Sequence, residues 1–260
     1  MYTKEDVLKK LENFNDKKFT FNEKYHTYKY NDEIFISVTT LLKKFSTPFN
    51  ADFFSRKKAI EIIDQEQGDL SEKNIIKVQK DVIKDWDIKR DHASNLGTKV
   101  HQYIENYFNK KYNEIPNDLE IVDRINKFNI LYAKHLYKLN YIGGEIKIFS
   151  INKKIAGTID GLFLYKGKII ILDYKTNKEW YNDDNKKYSY LLNEFNMYYD
   201  NEFNKYSIQL SLYSLLLEEI GLNVDSSYLC HLSPNDDSKL YKARNFKNEL
   251  KEYLNKNIYS

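Results

Sequence analysis

At 260 residues the chain is long enough to bury one substantial core and carry an accessory region. Its 41 Lys and Arg against 38 Asp and Glu leave a formal charge of +3, so any nucleic-acid groove must come from local clustering of charge. One cysteine, Cys230, excludes a disulfide framework and a four-cysteine iron–sulfur cluster. The sequence has no apolar run of membrane-spanning length and no signal-peptide pattern, so a cytoplasmic location without a membrane partner is expected.

In chain order, residues 3 to 14 read as a short helix, and Phe19 to Val38 alternates as a hairpin turning at Asn31-Asp32. Ser37 or Thr39 is placed to cap a helix carrying Leu41, Leu42 and Phe45, which Pro48 follows. Residues 51 to 66 read as helix until Gly68 to Ser71 breaks the pattern. A long helical stretch from about 72 to 109 follows, with an interruption expected near Ser94 to Gly97. Another helix, about 118 to 139, leads into three strands within residues 144 to 178. Residues 205 to 220 form an apolar helix stopped by Gly221, and Ser227 to Leu232 is a final core strand. This order predicts an α/β sandwich around a mixed sheet with three antiparallel strands flanked by helices. Residues 1–90 are expected as an N-terminal accessory region and 91–260 as the core.

The three strands carry the chemistry. Ile169 to Leu172 is an unbroken apolar run that ends in Asp173-Tyr174-Lys175, so charge appears abruptly at the end of a buried strand. If Lys166-Gly167 is a two-residue loop, Tyr165 pairs with Lys168, and counting back puts Asp160 opposite Asp173. If Asn152-Lys153 is another, Ile151 pairs with Lys154 and Glu145 falls opposite Asp160. Strand alternation puts Lys175 on the face of Asp173. The expectation is a row Glu145–Asp160–Asp173 with a lysine beside it. Two carboxylates ~5 Å apart repel by roughly 3 kcal/mol at an effective dielectric near 20. A divalent cation reverses that sign, and hard carboxylate oxygens suit Mg²⁺ or Mn²⁺. Asp-x-Lys alone carries nothing, since the triplet also begins at Asp16, Asp87, Asp184 and Asp237; the Asp173 copy closes a buried strand.

Asp160 followed by Asp173-Tyr174-Lys175 resembles the PD-(D/E)XK nuclease superfamily, with Ile159 where the family name has proline. Gly97-Thr98-Lys99-Val100-His101, continuing to Glu105, resembles the helical G-T-x-x-H motif of its RecB-type branch. Gln209-Leu210-Ser211-Leu212-Tyr213 resembles that branch's Q-x-x-x-Y helix. More loosely, Tyr25-His26-Thr27-Tyr28 and Ser37 to Leu42 resemble the N-terminal region of viral and phage exonucleases of this branch. The chain resembles the mitochondrial genome maintenance exonuclease more distantly. The resemblance implies a restriction-endonuclease-like core and a Mg²⁺- or Mn²⁺-dependent deoxyribonuclease using one or two ions. His101, Asp160, Asp173 and the Tyr174 carbonyl are the implied ligands. Asp160, Asp173 and Lys175 are the implied catalytic residues, with Glu145 in support; Gln209 and Tyr213 would touch substrate or orient the catalytic groups, and Thr98 would meet substrate. It further implies a DNA partner, single-stranded or duplex ends, and an exonuclease of viral or phage replication or recombination in the host cytoplasm. A helicase or a replication or recombination protein is a candidate partner. An endonuclease of restriction or structure-specific type, and a catalytically silent DNA-binding subunit of a helicase–nuclease complex, are the alternatives.

Plainer readings stand beside these. Val100, Ile104, Tyr107 and Phe108 form a buried stripe with His101 at its edge. Glu105 suits an ion pair, an outer-shell role or a ligand. Gln209 and Tyr213 share a helix face and read equally as polar edge residues. His26, His92, His135 and His231 read as structural. Trp180, Tyr181, Tyr188, Tyr190, Phe195, Tyr198, Tyr199 and Phe203 can stack unpaired bases or cap the sheet's end. Lys43–Lys44, Arg56–Lys58 and Lys89–Arg90 can follow phosphates or simply solvate helix faces.

Overall fold

The computed structural model describes residues 1–23, 25–112, 114, 116–178, 189–234 and 237–258. Trp180, Tyr181 and Tyr188 of the aromatic segment lie outside them. The chain forms two compact units: residues 1–47 with 99–260, and residues 48–98. This division differs from the expected one, since the N-terminal strands belong with the core and the separate unit is internal.

In the larger unit, helix α1 (Lys4–Phe14) begins with a reciprocal cap. The Thr3 hydroxyl accepts the Asp6 N–H, and the Asp6 carboxylate accepts the Thr3 N–H. Strands β1 (Phe19–Asn22), β2 (Thr27–Tyr30) and β3 (Glu33–Ser37) form an antiparallel meander. Asn31 and Asp32 take φ of 48° and 63°, the left-handed pair that a two-residue hairpin needs. Ser37 ends β3 and caps α2 (Val38–Leu42) by accepting the Thr40 N–H.

Strands β4 (Asn140–Ser150), β5 (Ile155–Tyr165) and β6 (Lys168–Lys175) follow antiparallel. Helix α6 (Glu202–Glu219) crosses to β7 (Val224–His231), parallel to β6, and β8 (Lys239–Lys242) and α7 (Lys247–Ile258) complete the unit. The sheet is mixed and, among the described residues, has eight strands, not three. Its order is β1-β2-β3-β5-β6-β7-β8, with β4 paired to β5. One face packs on α2 and α6 through Leu41, Leu212 and Leu216, and α7 packs on α6, bringing Leu250 into the same core. On the other, α5 (Leu119–Leu131) and the end of α4 (Glu72–Phe108) pack aromatics, with Phe108 5.1 Å from Phe163 and Phe128 5.9 Å from Tyr174.

Residues 48–98 contain α3 (Ala51–Gln65) and α4 up to Thr98. The Gln79 amide donates to the Asp52 carbonyl and the Ser55 hydroxyl, and Arg56 grips Glu72 with both terminal guanidinium nitrogens. Helix α4 runs unbroken through Ser94–Gly97, where an interruption was expected. A helical glycine costs only about 1 kcal/mol, which 37 residues of continuous helix absorb.

Candidate active site

Strand β4 occupies one edge of β5 along nearly its whole length, and the other edge is shared. Strand β3 takes Ile155 and Ala156 there, and β6 takes Gly161 to Tyr165. Among the described residues, 157–160 have no strand partner on that edge, and Asp160 sits at the fork where β6 leaves β5. Its Oδ2 accepts the Tyr174 N–H at 3.0 Å, so a carboxylate stands where the ladder would supply a carbonyl.

The last β5–β6 pair is Gly161 with Leu172, which puts Asp160 and Asp173 next in register. Gly144 pairs with Gly161 and Ile146 with Ile159, leaving Glu145 opposite Asp160. The β4–β5 loop is four residues, Ile151 to Lys154, rather than two. Because it lengthens both sides equally, the register keeps its expected value. Glu145 itself takes φ of 50°, a left-handed backbone rarely adopted by a non-glycine residue and typical of strained functional positions.

His101 enters from α4. Its Nδ1 lies 3.5 Å from Asp160 Oδ2, and its Nε2 lies 2.8 Å from the Tyr174 carbonyl oxygen. Ligand atoms of His101, Glu145 and Asp160 all lie within 4.8 Å of one another. Asp173 stands beside this group and is almost wholly buried, with Lys175 Nζ 2.7 Å from its Oδ2. That is an ion contact rather than a well-angled hydrogen bond; among the described residues neither carboxylate oxygen of Asp173 has a hydrogen-bond donor. The Lys175 ammonium also lies 4.3 Å from the Tyr206 ring centre.

Burial pushes the Asp173 carboxyl up to about 6, the Lys175 ammonium opposing and the Asp160 carboxylate reinforcing the rise. Desolvation, then Asp160, pushes Glu145 up to about 7. Glu145 nevertheless keeps substantial solvent exposure, so water screens part of that repulsion. Burial alone would lower Lys175, but Asp173 and Asp160 outweigh it and hold the ammonium above its ordinary value.

These residues fit a hard divalent cation. Two carboxylates and an imidazole converge, the carboxyls of Glu145 and Asp173 resist ionising beside Asp160, and Asp173 has two buried oxygens with no hydrogen-bond donor. The 2.8 Å from His101 Nε2 to the Tyr174 carbonyl suits a hydrogen bond and also matches the ~3 Å between neighbouring ligands with ~2.1 Å bonds.

The remaining expected residues are not part of this group, although Glu105 lies against Gly144, next to Glu145, and adds to the rise of its carboxyl. Gln209 and Tyr213 are buried in α6, the Gln209 amide donating to the Tyr213 hydroxyl at 3.1 Å, and the Tyr213 ring lies against Gly157 of β5. Thr98 belongs to the 48–98 unit and donates its hydroxyl to the Ser94 carbonyl. Glu105 accepts from Gln102 and Asn109, and His231 Nε2 lies 2.8 Å from the Asn177 carbonyl. Tyr206 escaped the sequence reading, although it lies one turn before Gln209 on the same helix.

No protein-family profile matches the chain. Over 155 residues it is 28% identical to an ATP-dependent helicase/nuclease subunit of Lactobacillus acidophilus. The matched stretch is 59% of this chain, but the chain spans only 11% of that relative. Among solved structures, the crystal structure of SSO0001 aligns with a TM-score of 0.32 and 13% identity, covering 97% of this chain and 82% of that one. Among the described residues no helix is long and apolar enough to cross a membrane.

Proposed function

We propose that this chain is a divalent-metal-dependent deoxyribonuclease of the RecB-type PD-(D/E)XK class, acting as an exonuclease. The observation that carries the reading is the convergence of His101, Glu145 and Asp160 beside the Asp173–Lys175 ion pair at the β5–β6 fork. The partial similarity to a helicase/nuclease subunit supports the same chemistry. His101, Asp160 and Asp173, with the Tyr174 carbonyl, would hold one or two Mg²⁺ or Mn²⁺ ions, and Glu145 would support them. Bound there, such an ion lowers the pKa of a water and offsets charge on the scissile phosphate.

The chain's own groups do the rest. The Tyr174 N–H fixes the Asp160 carboxylate. Asp173 and the Tyr206 ring hold Lys175 as an ammonium, which donates to the attacking water or to a phosphate oxygen as charge builds there. Gln209 and Tyr213 act through β5: their buried pair sets the strand that carries Asp160. Thr98 would contact substrate. Exonuclease mode rests on the N-terminal resemblance to viral and phage exonucleases, with replication or recombination as the setting. The relative's name favours work beside a helicase. These 260 residues contain no G-x-x-x-x-G-K loop, so an ATP-driven motor would lie outside them.

The test is cleavage of end-labelled single-stranded and duplex DNA, linear and circular, in Mg²⁺, Mn²⁺ or EDTA. The expected result is loss of linear DNA only, faster in Mn²⁺ because an imidazole ligand suits it better than Mg²⁺, and none in EDTA. Asp173→Asn and Lys175→Met should each lower the rate at least ~100-fold, the scale of lost charge stabilisation. Cut circles would turn the reading to an endonuclease; undiminished cleavage by both variants would remove this site from the chemistry.

A further inference from the structure

Within residues 48–98, helix α3 is built inside out. Its buried positions are small or medium, Ser55, Ala59 and Ile63, while Phe53 and Phe54 face water at 58% and 45% exposure. Phe49, just ahead of the helix, is 65% exposed. The rings of Phe49 and Phe54 lie 5.0 Å apart and nearly parallel, at 4°, and Trp86 of α4 stands 5.7 Å from Phe49. These three rings, with Lys57, Lys58 and Glu61, line a cleft of about 330 Å³. Aromatic side chains gathered on a solvent-facing wall mark a binding surface, because folding alone would turn them inward.

We propose that this cleft binds unpaired bases of a single-stranded polynucleotide. Flat, solvent-facing rings accept any base by its π-face, and ammoniums at the rim meet phosphates. Lys58 faces Glu61 at 3.3 Å, whereas among the described residues Lys57 has no carboxylate within ion-pair distance. The choice of a polynucleotide over an apolar protein segment rests on the nuclease reading and on these lysines. Acidic and basic residues nearly balance across 48–98, so stacking rather than counterion release carries the binding, and its salt dependence is shallow.

The experiment uses the full chain in EDTA, where no cleavage interferes. Fluorescence anisotropy would follow fluorescein-labelled oligothymidylate, an abasic oligomer of equal length, and a blunt duplex. Phe49→Ala/Phe54→Ala is expected to raise Kd for oligothymidylate roughly 10-fold or more, on the scale of lost base–aromatic stacking. Phe49→Tyr/Phe54→Tyr should keep the wild-type Kd, and wild type should bind the abasic oligomer as weakly as the alanine variant binds oligothymidylate. Both rings are solvent-exposed, so the buried Ser55–Ala59–Ile63 contact persists, and a circular-dichroism melt would verify it. Wild type binding none of the probes, equal Kd for wild type and the alanine variant, or equal affinity for abasic and normal strands would each overturn the proposal. Metal-dependent cleavage by wild type scores the nuclease reading separately. Cleavage with unchanged alanine-variant binding would remove the cleft alone. Ring-dependent binding without cleavage in any metal would remove the nuclease and leave the cleft.

Discussion

Glu145 shows how much the candidate site strains the fold that carries it. Its φ of 50° costs an L-residue about 1–2 kcal/mol, and its carboxyl faces Asp160. The carboxyl, pushed up to about 7 chiefly by desolvation and then by Asp160, has an unfolded value near 4.5. Between those values the folded chain holds more protons than the unfolded one, so this residue's contribution to stability falls as pH rises from about 4.5 through 7. Glu145→Gln keeps the backbone and removes the titration. In EDTA, urea unfolding should show the variant gaining on wild type across that window, the difference levelling off above it. Exposure of the side chain damps the size, so the sign is the test. A difference that is flat with pH, or that favours wild type as pH rises, would mean that folding does not raise the Glu145 carboxyl. With Mn²⁺ present the gain should shrink or reverse, because the ionised carboxylate then has its counter-charge.

At the scale of elements, the strand register of the candidate site was legible where local geometry fixes it. Lys166-Gly167 and the symmetric four-residue loop set the registers that align Glu145, Asp160 and Asp173, and the apolar run from Ile169 made β6 plain. Pairing between distant segments was not legible. The contact of β3 with β5 at Ile36 and Ile155 joins residues more than a hundred positions apart, and four-residue β8 has no long pattern to read. The three-strand expectation therefore fell short of eight. Helix α6 against β5 is another such contact. A Cβ built on Gly157 would lie 2.6 Å from Tyr213 Cε1 and 3.0 Å from Val38 Cγ2, so glycine is needed for the helix to approach. Gly157→Ala should cost roughly 1–3 kcal/mol of stability as overpacking and weaken Mn²⁺ binding, because Asp160 lies three residues along the same strand. Tyr213→Leu added to it should recover part of both. Additive losses, measured by denaturant melts and isothermal titration, would show that the ring does not set the strand.

For the whole molecule, the proposed metal ligands and the aromatic cleft fall in different compact units. His101, Asp160 and Asp173, with Glu145 in support, belong to 1–47 with 99–260, and Phe49, Phe54 and Trp86 belong to 48–98. Metal that binds the folded chain stabilises whatever opens to release it, by about 2.7 kcal/mol at a hundredfold excess over Kd. Local openings that leave the ligands in place gain nothing. Hydrogen exchange with and without saturating Mn²⁺ should therefore slow at the amides of β4, β5, β6 and residues 99–108, with Tyr174 prominent because its N–H is held by Asp160. Amides of α3 and of α4 before residue 98 should exchange at the same rate in both conditions. Equal slowing in 48–98 would mean that the two units open together or that a further ligand lies there. No slowing around Asp160 and Asp173 would mean that the carboxylates at the fork do not hold the ion.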